Sequence, residues 1–289
     1  MARSNDHADP LLGVDADGMR RILVHEAMVH AIPGRELRDL GDALLVHDPV
    51  DRDPFWNRAE GLRWPARPAA FDARLDELMI LFATLDRRPH VWASPGYDSP
   101  DDLVDRLLAS GFEDVGAGMV MLLVDGDAPG RLVRAGTGAA ADEVTVERLA
   151  GVTGEAAAAT ADEIVDVLLD AFGVEAARGA AIRTETVASL AHPWFTHYLV
   201  RWHGTPAAVA RRATFDGLSY ISSVGTAPAA RGRGFAGLVT AAAAADAVTA
   251  GSEFVSLGVF AENDRAIRLY RRVGFEILGR PAADLLLIG

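Results

Sequence analysis

A strand-like run, Leu218-Ser-Tyr-Ile-Ser-Ser-Val224, leads through a proline turn into Arg231-Gly-Arg-Gly-Phe-Ala236, and an alanine-rich helical segment then continues to Thr249. This order constrains the chain more than any other feature. Glycines let a backbone come close to a ligand, and the first N–H groups of a helix have no intrahelical partner, so such a loop cradles an anion. Arg231 and Arg233 add charged, forked donors that suit a diphosphate. Gly232, Gly234 and Gly237 also satisfy the dinucleotide fingerprint G-x-G-x-x-G, which would imply a nicotinamide-dependent oxidoreductase. Two features oppose that alternative. Gly225 to Ala230 separates strand from glycines, and only one clear strand-helix unit follows, too little for a doubly wound sheet.

The elements around the loop set its context. Val144 to Leu149 reads as a strand, and Asp162 to Phe172 carries apolar residues at helical spacing, stopped by Gly173. Phe195 to Trp202 and Ala207 to Phe215 read as a hairpin that continues into Leu218 to Val224. After the helix that ends near Gly251 come a continuous apolar strand, Phe254 to Phe260, a helix from Asp264 to Val273 closed by Gly274, and one or two terminal strands within Phe275 to Ile288. The implied class is α/β, an α+β arrangement on a mixed sheet.

Val224-Gly-Thr-Ala-Pro-Ala-Ala-Arg231-Gly-Arg-Gly234-Phe-Ala236 resembles the signature of the GNAT N-acetyltransferase superfamily, a strand and proline followed by [R/Q]-x-x-G-x-[G/A]. Glu262-Asn263-Asp-Arg-Ala266-Ile-Arg-Leu269-Tyr270-Arg-Arg-Val-Gly274-Phe275 resembles that family's second signature, in the right order and at the right separation. The resemblance covers about half the chain, Glu143 to Gly289. It implies that Val224, Gly225, Thr226, Arg231, Gly232, Arg233, Gly234, Phe235, Ala236 and Asn263 bind acetyl-coenzyme A, with no metal. It also implies that the strand ending at Val224 splays from Phe254–Phe260 to admit the pantetheine arm, with the Val224 amide facing the thioester carbonyl, where negative charge grows. Tyr270 is then the general acid for the departing sulfur. A tyrosine among Ile267, Leu269 and Val273 would otherwise be a core residue, and Asn263 a helix cap. Glu262, Asp216, His197 and His203 remain open as general bases.

The first half repeats part of this order. Pro89 to Ala93, Asp101 to Ser110, Gly111-Phe112 and Met119 to Val124 read as strand, helix, Gly-Phe and strand. Alignment on Gly-Phe places Leu107 where Tyr270 stands and Pro100 where Asn263 stands. Leu62-Arg-Trp-Pro-Ala-Arg-Pro-Ala-Ala70, ahead of a helix from Phe71 to Asp86, has prolines where a phosphate loop needs free N–H groups. The expectation is two tandem GNAT folds: residues 1–128 degenerate and without the cofactor loop, 129–142 a linker, and 143–289 catalytic. The tandem arrangement also resembles the mycothiol synthases.

Composition narrows the chemistry. The chain of 289 residues has no cysteine and a formal charge of -13. Lysine is also absent, so disulfides, thiolate metal sites, cysteine nucleophiles, Schiff bases and a Walker lysine are all excluded. The acidic balance opposes nucleic-acid binding and suits a cationic substrate. No stretch approaches a membrane span or a signal sequence, so a soluble cytoplasmic protein is expected. The function implied is transfer of acetyl from acetyl-coenzyme A to a primary amine of a small molecule or peptide by direct attack, the alternative being a non-catalytic acyl-coenzyme A-binding sensor or interaction module.

Overall fold

The computed structural model describes residues 11–31, 34–94, 96–138, 143–174 and 178–288. Residues 1–10 and part of the expected linker, 139–142, lie outside them. In chain order the elements of the first half are α1 (Ala16–Ala31), β1 (Glu36–Asp39), β2 (Leu44–His47), β3 (Arg58–Glu60), α2 (Pro68–Thr84), β4 (His90–Ala93), α3 (Leu103–Ala109), β5 (Phe112–Leu123) and α4 (Ala128–Gly138). There follow β6 (Val144–Leu149), α5 (Gly154–Phe172), α6 (Gly179–Ala191), β7 (Phe195–Trp202), β8 (Thr205–Phe215), β9 (Leu218–Thr226), α7 (Phe235–Thr249), β10 (Phe254–Phe260), α8 (Asp264–Val273) and β11 (Phe275–Leu287). The architecture is mixed α/β, as expected. No described helix is long and apolar enough to cross a membrane.

The chain forms two compact units. The first comprises Met1–Val120, Val259–Asn263 and Ile277–Gly289, and the second Met121–Gly258 and Asp264–Glu276. In the first, the strand order runs β1-β2-β3-β4-β11-β5, with β3 and β4 parallel and β4 and β11 antiparallel. α2 presents Phe71, Leu75, Leu78 and Phe82 at helical spacing, and these pack with Leu107 of α3 onto Leu45, Ala59, Val91 and Leu285 of the strands. The β3–β4 ladder ends at Glu60 and Trp92. Beyond it the Ser99 amide donates to the Leu62 carbonyl (2.9 Å) and the Trp64 amide to the Ser99 carbonyl (3.0 Å), so this edge is paired with the unit's own chain.

In the second unit the strand order is β10-β9-β8-β7-β6, antiparallel except for β9 and β10. Ala157, Ala161, Ile164 and Leu168 form the inward stripe of α5, against Leu190, Leu199 and Val209. α7 packs against β7, β8, β9, α4 and α8. Alanines buried on several sides of α7 allow that close approach, and a helix apolar all round is one that is buried.

Two differences from the sequence reading have physical causes. The expected linker carries a helix over its first part, because the Asp125 side chain accepts from the amides of Asp127 and Ala128 (both 3.1 Å) and so caps α4, while Gly136 lets α4 approach Leu238 of α7. α6 also has no counterpart in that reading. Its sequence, Gly-Ala-Ala-Ile-Arg-Thr-Glu-Thr-Val-Ala-Ser-Leu-Ala, has little amphipathic contrast and four β-branched residues, and tertiary packing against α5 and β7 supplies the stability that local propensity withholds.

Candidate active site

The site begins in the path of β9. Its parallel pairing with β10 covers only Leu218–Ile221 against Phe254–Leu257, although β9 continues to Thr226 and β10 to Phe260. The cause lies on the other edge of β9. Against β8, Arg211 pairs with Ser222 and Val209 with Gly225, so Ser223 and Val224 together oppose Ala210. This is a β-bulge, which bends the strand and increases its twist. Ser223 holds φ at 54°, a left-handed conformation uncommon for a residue other than glycine. Gly225 has a different reason to be glycine, since a Cβ there would lie 3.0 Å from Ala171 and 3.4 Å from Leu168 of α5. The bulge had no glycine to announce it in the sequence.

After Thr226 a single 3-10 turn, Pro228–Ala230, delivers the chain to the glycine loop. Gly232 and Gly234 hold φ at 80° and 84°, and α7 starts at Phe235 with Gly234 as its cap. Glycine has no side chain to bond the first-turn amides, and that turn contains no acidic residue. A Cβ on Gly232, Gly234 or Gly237 would meet no protein atom within 4 Å. The helix terminus is therefore uncapped and open, with its positive dipole end free for an anion. Phe235 is buried and offers this mouth only its backbone, and Ala236 is half-buried. The Thr226 hydroxyl is buried and without a partner among the described residues.

The two arginines of the loop have different surroundings. Arg231 reaches the C-terminal end of α5, donating from Nη2 to the Asp170 carbonyl (3.1 Å), where the negative end of the helix dipole attracts a cation. Arg233 is exposed, with its guanidinium 3.9 Å above the Trp202 ring. Trp202 was not singled out by the sequence, because β7 carries no motif.

Tyr270 projects from α8, packed edge-on to Phe275 with ring centroids 6.4 Å apart. It is 8% exposed, and burial alone pushes its phenol up to about 12. Its hydroxyl has no hydrogen-bond partner among the described residues. The hydroxyl itself is not sealed from solvent, so its donor is open to water or to a ligand. Asn263 immediately precedes α8, donates its amide to the Phe260 carbonyl (3.0 Å), and falls in the first unit.

The base candidates separate by position. Asp216 lies in the β8–β9 turn, at the opposite end of β9 from Val224, roughly 25 Å away by strand length. His203 is in the β7–β8 turn, with Nε2 3.8 Å from Glu143. Glu262 is exposed and belongs to the first unit. His197 is buried, bonded through Nε2 to the Ser189 hydroxyl (2.8 Å), and depressed to about 3 by burial and by the neighbouring Arg211 charge. An imidazole that weakly basic takes no proton from an ammonium group near neutrality.

His197 instead makes stability depend on pH. Its unfolded value is about 6.5, so between pH 6.5 and 3 the unfolded chain binds the extra proton and stability falls as pH is lowered. Between pH 7 and pH 5 this group is expected to withdraw about 2 kcal/mol from the second unit. Urea titrations at the two pH values check this, and a His197→Gln variant with the same pH dependence as the parent would refute it.

The fold and loop define a mixed α/β protein with an anion cradle at a helix N-terminus beside a diverging parallel strand pair. Residues 162–275 match the model of the Acetyltransferase (GNAT) family, and this segment is a GNAT domain. The chain is similar to a GCN5-related N-acetyltransferase from Kribbella flavida, 22% identical over 93% of this chain and 95% of that one, with a TM-score of 0.67. It is similar to a GCN5-related N-acetyltransferase from Sphaerobacter thermophilus (19%, 91% and 84%, TM-score 0.58). A tandem GNAT protein from the clavulanic acid biosynthesis pathway is 17% identical over 90% of this chain and 86% of that one, with a TM-score of 0.57. These are likenesses of fold, and they extend over both units. No curated protein matches this chain.

Proposed function

We propose that the second unit is an acetyl-coenzyme A-dependent N-acetyltransferase acting on a primary amine of a small molecule or peptide by direct attack. The observation that carries this reading is the bulge at Ser223-Val224, which turns the end of β9 out of its ladder beside the uncapped start of α7. The amides from Gly232 to Ala236 and the arginine charge would hold the diphosphate, and Val224, Gly225 and Thr226 the pantetheine amides in strand fashion. Bound acetyl-coenzyme A supplies an acyl group activated as a thioester. By the resemblance to the family, the Val224 amide would face the carbonyl oxygen, and a fixed amide donor of this kind lowers a barrier without reorganisation. Tyr270 supplies the proton or hydrogen bond to the leaving sulfur.

The first unit enters this proposal as a degenerate GNAT-like domain that does not hold coenzyme A. Its corresponding strand edge is paired with Ser99, α2 opens on Pro68, and the position matching Tyr270 is the fully buried Leu107. One active site per chain follows. Calorimetry with acetyl-coenzyme A, followed by a thiol-release screen over polyamines, aminoglycosides, amino acids and peptide N-termini, tests the function. One tight site and turnover on an amine are expected. Binding of NAD(P) with none of acetyl-coenzyme A would overturn it.

A further inference from the structure

Several arginines of the second unit have their charge spent on carboxylates: Arg148 on Asp246, Arg201 on Glu147 and Glu163, Arg211 on Glu185, and Arg183 on Asp162. Arg231 is engaged by helix carbonyls. Arg233 differs. Among the described residues it has no carboxylate or carbonyl partner, and its recorded contact is the face of Trp202 at 3.9 Å. A ring face attracts a guanidinium through its quadrupole and uses none of the N–H donors, which lie in the guanidinium plane. The contact fixes the charge and leaves the donor fork free. Trp202 is itself held in place, because its ring also lies against His203 and against Phe235, the first residue of α7, with centroids 4.9 and 6.1 Å away. Phe235, Trp202 and Arg233 are thus in contact in series beside the open helix terminus, with the Phe235 and Trp202 rings tilted by 47°. Gly232 and Gly234, both left-handed, set the loop path that brings Arg233 there.

We propose that Trp202 is a positioning residue of the phosphate cradle, holding Arg233 pre-ordered with its donors directed to a phosphate of the bound nucleotide. This rests on the acyl-coenzyme A reading of the loop and adds to it a residue from β7, outside both sequence signatures. A free arginine side chain loses rotamer entropy when it meets a ligand, and a stacked one has lost it already. The phosphate concerned belongs either to the diphosphate or to the ribose 3′-phosphate.

Titration calorimetry with coenzyme A on the full chain tests the assignment. Arg233→Ala should weaken binding about 10- to 100-fold and Trp202→Leu about 2- to 5-fold, with Trp202→Phe retaining most of the affinity. In the Arg233→Ala background, Trp202→Leu should add nothing. Dephospho-coenzyme A locates the contact: a Trp202 effect that disappears with it assigns the 3′-phosphate, and one that persists assigns the diphosphate, either supporting the positioning role. An unchanged affinity in Trp202→Leu, or an effect that is fully additive with Arg233→Ala, overturns it while the parent protein still binds. Absence of coenzyme A binding by the parent protein would instead remove the reading of the site itself.

Discussion

Tyr270→Phe is expected to lower kcat about 10²- to 10³-fold while the affinity for acetyl-coenzyme A stays within about twofold of the parent. The reasoning starts from what the substitution keeps. Phenylalanine retains the ring, its edge contact with Phe275 and its packing in α8, so stability should change little. Only the hydroxyl is lost, and among the described residues that hydroxyl bonds to nothing. A phenol pushed up to about 12 remains protonated throughout the working range, so it is always in the donor form. It is also a weak acid relative to a thiol, which favours a hydrogen bond to the developing thiolate over complete proton transfer and places the effect toward the lower end of general acid catalysis.

The pH dependence follows with its sign. Tyr270 loses its donor only as pH rises toward 12, so the kcat profile should show no falling limb from this group below about pH 10. Pre-steady-state thiol release with both proteins provides the measurement. Equal turnover in Tyr270→Phe would make Tyr270 a core residue and nothing more. A parent protein that binds acetyl-coenzyme A and acetylates no amine would support the alternative of an acyl-coenzyme A-binding sensor.

The parts of this site that sequence revealed are those built from residues with restricted conformational roles. Gly232 and Gly234 were readable because left-handed positions at a helix start favour glycine, and α7 begins within a residue of the expected place. The hairpin β7–β8–β9 followed from aromatic and branched runs separated by turn residues, and α8 was read as a helix closed by Gly274. What remained hidden depends on pairings between distant segments. The bulge is defined by Ala210 opposing Ser223 and Val224, and serine at a φ of 54° leaves no compositional mark. Trp202 matters through its distance from Arg233, and the engagement of Arg231 through carbonyls far away in sequence. In the first unit, His30 of α1 meets the Arg58–Glu60 pair of β3 from 28 residues away, and no local pattern announces that contact.

That cluster carries the largest expected stability effect. Arg58 and Glu60 are 1% and 7% exposed, with Nε donating to Oε2 at 2.7 Å. The remaining guanidinium nitrogens are also engaged, Nη1 with the Phe55 carbonyl and Nη2 with His30 Nδ1 at 3.1 Å, while the rings of Phe55 and Trp92 lie 4.8 and 4.9 Å from the guanidinium carbon. Arg58→Met fills similar volume but leaves the Glu60 carboxylate buried and uncompensated, at an expected cost of about 3–5 kcal/mol to the first unit. Arg58→Lys keeps the charge and loses the fork, so it should fall between the two. Removal of both charges in Arg58→Met/Glu60→Leu should recover most of the loss, because the attraction within a buried pair is largely offset by desolvation of its members. Guanidinium titrations followed by tryptophan fluorescence, in which Trp56, Trp64 and Trp92 report the first unit and Trp194 and Trp202 the second, separate this effect from any change elsewhere. A single Arg58→Met variant within 1 kcal/mol of the parent would mean that Glu60 finds another partner or takes up a proton. A double variant as unstable as the single one would mean that the polar cluster, with its aromatic walls, specifies the packing of this face beyond balancing its charge.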